Sequence, residues 1–253
     1  MEFLASVGRV FLHFLGASGR FGLFTVTALS HCLRPPFYFR LIGRQMIDIG
    51  YYSLPVVGLT AIFTGMVLAL QTNTGFSRFG AASATATVVV LSVTRELGPV
   101  IAALMVAGRI GAAIAAEIGT MRVTDQIDAL QTLSTNPMKY LVVPRILAGF
   151  VTLPLLVLVA DVIGVFGGYI VATYRLGFNP GSYISNTWTN LTSTDIWSGV
   201  IKAAVFGFIV ALMGCYYGYN SRGGAQGVGA ATTYAVVSAS VMILLFDYLL
   251  TSV

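Results

Sequence analysis

Charge is what this sequence has least of. Only 9% of its 253 residues are charged and nine are acidic, while 57% are hydrophobic. A soluble surface carries roughly a quarter to a third of its residues as charges, so a water-exposed globular domain is excluded and an integral membrane protein is indicated. Cysteine is nearly absent, and Cys32 and Cys215 stand in no CxxC or Cys/His cluster, which excludes a disulfide framework and a zinc site. His13 and His31 are isolated, and no metal site is expected. The phosphate-binding and hydrolytic patterns GxxxxGK[ST], GxSxG and HExxH are missing, so the chain itself is not expected to hydrolyse ATP. The net charge of +5 comes from 14 scattered basic residues without a Lys/Arg run, which argues against nucleic acid. The N-terminus lacks the charged start and A-x-A end of a cleavable signal and is expected to be retained.

The apolar stretches that remain set the architecture. A spanning helix takes about 20 apolar residues, and five stretches qualify: 49–77, 84–116, 141–172, 197–218 and 231–251. Residues 3–30, with Arg9 and Arg20 inside an apolar pattern broken by Gly8, Gly16, Gly19 and Gly22, fit a helix lying in the membrane interface. Arg34, Arg40 and Arg44 form the densest basic cluster, which makes that side cytoplasmic. The expected fold is all-α and integral to the membrane: one N-terminal interfacial helix and five transmembrane helices, N-terminus cytoplasmic and C-terminus outside. We expect one membrane domain over 1–253, with 1–47 the interfacial helix and its connection and 48–253 the bundle. Small residues at four-residue spacing, Ala61/Gly65/Ala69, Gly108/Ala112/Ala116 and Gly164/Gly168, mark close helix contacts, within one bundle or between copies. The sequence shows no internal repeat.

Two groups of polar residues stand out. "AEIGTMRVTDQIDAL" (116–130) puts Glu117, Asp125 and Asp128 between two apolar stretches, on the cytoplasmic side. Read as a helix after Gly119, it places Val123, Ile127 and Leu130 on one face and Met121, Asp125 and Asp128 on another. It is either a helix resting on the membrane or a docking element. Acids beside an anionic leaflet are disfavoured, which leans toward a protein partner. Arg95, Glu96, Lys202 and Asp247 lie inside spans, where each ionised side chain costs about 2.5–3.5 kcal/mol on insertion scales. They either neutralise one another across helices, hold a polar ligand group, or relay protons. Asp161 and Arg109 are expected nearer span ends.

The stretches "TRELGPVIAALMVAGRIGAAIAAEIGTMRVTDQIDAL" (94–130), "NPMKYLVVPRILAG" (136–149), "GMVLALQ" (65–71) and "ATTYAVVSASVMILLFDYLL" (231–250) resemble the MlaE/YrbE family of lipid-transport permeases. The resemblance runs over nearly the whole chain, although the first 45 residues and the loop 173–195 match only in length and character. It implies the permease subunit of an ABC transporter that moves phospholipids between the bacterial inner membrane and a periplasmic MCE-domain protein, maintaining outer-membrane lipid asymmetry. The implied partners are a second copy of the chain, a pair of cytoplasmic ATPases carrying ATP and Mg, a hexameric MCE ring and often a small STAS-domain protein; no cofactor is implied in this chain. The family's coupling helix corresponds to the segment carrying Glu117, Arg122, Asp125 and Asp128. Its lipid pocket at the dimer interface corresponds to Leu68, Phe76, Phe79, Arg95 and Glu96. The rival expectation is an ion-coupled secondary carrier using Glu96, Lys202 and Asp247.

Overall fold

The computed structural model describes residues 2–32, 34–78, 80 and 84–252, and all regular structure among them is helical. Five helical runs are long and apolar enough to cross a membrane: Phe39–Ser77, Thr85–Val123, Met138–Tyr174, Ser193–Tyr219 and Gly224–Thr251. The expected all-α membrane fold with five crossings is therefore the one found. Every run extends beyond its apolar stretch at one end or both.

Ahead of the bundle, α1 (Glu2–Cys32) packs the end of its length on the core, with Phe21 and Phe24 set edge-on against Tyr216 at 5.2 and 5.4 Å between ring centroids. The first run joins α2 (Phe39–Ile49) to α3 (Leu54–Ser77) through a 3-10 turn at Tyr51–Ser53. It begins ten residues earlier than the uncharged stretch suggested, since α2 is amphipathic and buries its apolar face on α8. Arg109 reaches across to hold that turn, donating to the Asp48 carbonyl (3.2 Å) and to Ser53 Oγ (2.9 Å).

The second run comprises α4 (Thr85–Ser92), α5 (Gly98–Val106) and α6 (Ala112–Val123), separated by π-helical turns at Val93–Leu97 and Ala107–Gly111. Its 39 residues give roughly 58 Å of helix against a hydrocarbon core of about 30 Å, so it protrudes. The short α7 (Gln126–Thr132) follows. The third run is a π turn at Met138–Val142 leading into α8 (Val143–Tyr174), α9 (Pro180–Asn190) covers its far end, and α10 (Ser193–Tyr219) and α11 (Gly224–Thr251) complete the bundle.

The centre is α10, packed on α8, α11 and α6, while α3 lies on the other side of α8. Without a hydrophobic drive between helices in lipid, contact is won by letting backbones approach. A Cβ on Gly149 would fall 2.7 Å from the Gly207 carbonyl oxygen, so α8 and α10 cross in near-backbone contact. The stripes Ala61/Gly65 and Gly164/Gly168 face each other inside the bundle, a Cβ on Gly164 lying 3.3 Å from the Ala61 oxygen. The Gly108/Ala112/Ala116 stripe behaves differently: Gly108 is exposed, with nothing within 4 Å of where its Cβ would be.

Candidate functional site

The interior charges meet at Lys202. Its side chain on α10 is only 2% exposed, and its ammonium donates to Glu96 Oε2 at 2.6 Å, Thr251 Oγ1 at 2.7 Å and the Arg95 carbonyl at 3.2 Å. Asp247 Oδ1 stands 3.1 Å away, within ion-pair range but outside hydrogen-bond alignment. The backbone contact has a local cause. Pro99 has no N–H, so the carbonyl four residues back loses its helical donor; that carbonyl is Arg95's, the helix widens into the π turn at Val93–Leu97, and Lys202 takes the freed oxygen. Gly199 allows the approach, since a Cβ there would run into the Thr94 carbonyl oxygen. Glu96 of the second run, Lys202 of α10 and Asp247 and Thr251 of α11 thus tie three helices at one depth.

The Arg95 side chain lies apart from this cluster. It is half exposed and stands 3.6 Å from Asp195 Oδ1. Asp195 caps α10, accepting from the Thr192 backbone N–H (3.0 Å) and hydroxyl (2.7 Å). Sequence reasoning missed Asp195, although Thr192-x-x-Asp195 is a recognisable capping pattern. It also missed Thr251, for which no sequence signal exists. Leu68 packs partly buried beside Val89 and Val93, and Phe76 is partly buried near the end of α3. Phe79 lies outside the described residues.

At the opposite end, the segment read as a helix after Gly119 is divided. The second run continues to Val123, which places Glu117 and Arg122 on α6, and the chain then breaks at Asp125, whose φ of 57° is left-handed. The break corrects the expected common face of Met121, Asp125 and Asp128. Within α7, Ile127 is fully buried while Asp128, and Asp125 just ahead of the helix, remain exposed. Arg122 pairs with Asp128 at 2.7 Å. Glu117 pairs at 2.7 Å with Arg145, a nearly buried guanidinium on α8 that also donates to the Leu141 carbonyl at 2.7 Å. Arg145 thereby anchors α6 to α8, a role that sequence reasoning missed. Beside α7 lies a notch of about 270 Å³ shared with the α10–α11 turn.

A larger groove, about 520 Å³, opens elsewhere, between α8, α9 and the second run, with Asp161, Val162, Phe166, Tyr183 and Trp188 among its lining residues. Among the described residues, none of the expected lipid-contact positions lines it. Asp161 sits mid-way along α8 rather than near a span end, its Oδ1 without a partner. Tyr183 of α9 is also buried with an unpartnered hydroxyl, and burial pushes its pKa up to about 12.

Buried ion pairs binding long helices, five membrane-length runs and a separate short helix after the second define the core of a helical membrane protein. Residues 42–253 match the family described as Permease MlaE, and the chain belongs to that family. It is 58% identical over 246 residues to a probable ABC transporter permease protein of Rickettsia felis, covering 97% of this chain and 95% of that one. It is 35% identical over 254 residues to the intermembrane phospholipid transport system permease protein MlaE of Haemophilus influenzae, covering 100% and 97%. It is also 37% identical over 220 residues to the chloroplastic protein TRIGALACTOSYLDIACYLGLYCEROL 1 of Arabidopsis thaliana, covering 87% and 63%. The chain is an ABC transporter permease of the MlaE type.

Proposed function

We propose that this permease moves phospholipid across or out of the bacterial inner membrane, driven by a separate ATPase pair that carries ATP and Mg. Two copies of the chain form the pathway. The observation that carries this reading is the placement of Arg95: its carbonyl is held by the Lys202 cluster while its guanidinium is half exposed beside Asp195. A guanidinium anchored in this way suits a phosphate head group, because its planar fork matches two phosphate oxygens. Leu68, Phe76 and Phe79 would receive the acyl chains near the end of the first span, with Glu96 beneath the head group.

The α7 end carries Arg122, Lys139, Arg145 and Arg222 and is assigned to the cytoplasm by the positive-inside rule, with the N-terminus; the C-terminus is then periplasmic. Coupling to the ATPase is assigned to α7 and its approach, through Glu117, Arg122, Asp125 and Asp128. A periplasmic MCE-domain hexamer would exchange lipid at the opposite end, in the service of outer-membrane lipid asymmetry, and a STAS-domain protein would accompany the ATPase. Membership of an ABC permease family favours ATP as the energy source over the ion-coupled carrier. The test is mass spectrometry of the intact complex purified from membranes. We expect two permeases, two ATPases and retained phospholipid, with the lipid lost in Arg95→Ala while the assembly persists. A permease that purifies alone, or an Arg95→Ala complex holding its full lipid complement, would overturn the proposal.

A further inference from the structure

The notch beside α7 is built by two segments far apart in sequence. One wall carries Arg122, Asp125 and Asp128; the other is the α10–α11 turn, Ser221 to Gly224. The turn is a fixed feature: Gly223 and Gly224 hold φ of 89° and 65°, which suits residues without a Cβ. It is pinned on the core because Ser221 packs over Gly119 of α6, a Cβ on that glycine lying 3.4 Å from the Ser221 Cβ. Ser221 is 5% exposed and its hydroxyl has no hydrogen-bond partner. A buried hydroxyl left unpaired costs free energy unless something supplies the missing bond.

The charges are similarly incomplete. Arg122 and Asp128 satisfy each other, whereas no ion pair among the described residues involves Arg222 or Asp125. Both line the notch, both are exposed, and they carry opposite signs. An empty recess with one free positive charge, one free negative charge and an unpaired hydroxyl is complementary to a protein projection bearing an acid and a base.

We infer that the α10–α11 turn is a second docking element for the ATPase, which inserts into the notch, sets an acidic side chain on Arg222 and a basic one on Asp125, and completes the hydrogen bonding of Ser221. This rests on the assignment of α7 to the ATPase and extends it: the partner grips the second span and α11 together rather than α7 alone. The test is recovery of ATPase with tagged permease from membranes co-expressing the complex, for Arg222→Glu, Arg222→Ala, Ser221→Val and the pair Asp125→Lys with Asp128→Lys. Thermal stability of the permease is read alongside to exclude misfolding. Reversal of a charge that meets its opposite across an interface turns attraction into repulsion. Arg222→Glu should therefore lower recovery about tenfold or more and Arg222→Ala less, both with unchanged thermal stability, and Ser221→Val to a smaller but measurable degree. Loss of ATPase in the Asp125/Asp128 variant with full recovery in Arg222→Glu would reject the second element and leave α7 docking intact. Full recovery in all four would reject both assignments.

Discussion

Lys202→Met is the perturbation on which the structure speaks most sharply. The side chain is 2% exposed; its ammonium donates to three acceptors on the second run and α11 and stands in ion-pair range of Asp247, so its removal leaves Asp247 (21% exposed) and Glu96 (37% exposed) without a counter-charge. Removing one partner of a buried pair costs about 3–5 kcal/mol, because the remaining charge is left in low dielectric. Glu96 is exposed enough to regain water, so its share is discounted, and the total belongs near the lower bound, about 3 kcal/mol. For a chain of this length a loss of 1 kcal/mol lowers Tm by about 2–4 °C, so the solubilised complex should melt about 6–12 °C lower. The double variants then separate the partners. Lys202→Met with Asp247→Leu should recover most of the loss, since a neutral buried set of similar volume is tolerated. Lys202→Met with Glu96→Leu should recover less, although Glu96 is the nearer acid at 2.6 Å against 3.1 Å, because the more deeply buried Asp247 remains uncompensated. Losses that simply add in both doubles would refute the pairing energetics.

Other consequences are directly measurable. With both native cysteines replaced, a single cysteine at exposed Ser193 should label with an impermeant maleimide from outside and one at exposed Gln126 should not; equal labelling would contradict the assigned orientation. Gly207→Val should abolish stable assembly, because a Cβ at this position already meets Leu153 Cβ at 2.9 Å and would force α8 and α10 apart. Detergent-extracted yield and gel filtration would show it, and wild-type behaviour would refute near-backbone packing. Tyr183→Phe should change Tm by less than about 1 °C or raise it, since the hydroxyl is buried without a partner and its loss removes an unmet requirement. A clear drop in Tm would reveal a partner for that hydroxyl in the folded protein.

The five crossings were legible because a bilayer demands about 20 apolar residues per span, and composition alone meets or fails that demand. The span ends were not. Arg40, Arg44 and Asp48 read as a stop, yet they ride on α2, whose other face is covered by α8. Glu117 read as the start of a loop, yet α6 carries it onward because Arg145, 28 residues later, supplies its counter-charge. Such partners are set by tertiary contact, which hydropathy does not encode. The polar loop 173–195 concealed α9, even though Asn179 ahead of Pro180 is a helix-start signal, with the Asn179 side chain accepting from the Ser182 N–H at 3.2 Å. The interior charges stood out by their insertion cost, but not who meets whom. Arg95 turns its side chain to Asp195 and lends the Lys202 cluster only its carbonyl, a division that follows from Pro99 and from the capping of α10.

That division suggests how one end of the molecule informs the other. The notch is walled by the end of the second run and by the turn that starts α11, and the Lys202 cluster joins the same two helices again through Glu96 and Asp247. From Glu96 to Val123, and from Asp247 back to Gly224, helix extends for roughly 35–40 Å at about 1.5 Å per residue. Two rods fastened at both ends cannot slide past each other without breaking one of the fastenings. Of these two rods only the second run contains π turns, at Val93–Leu97 and Ala107–Gly111, and such turns are where a helix can shift register while keeping its backbone bonded. The turn nearer the cluster holds Arg95 and Glu96 themselves. A shift of register at that turn would move the Arg95 carbonyl against Lys202 and with it the guanidinium that faces outward beside Asp195.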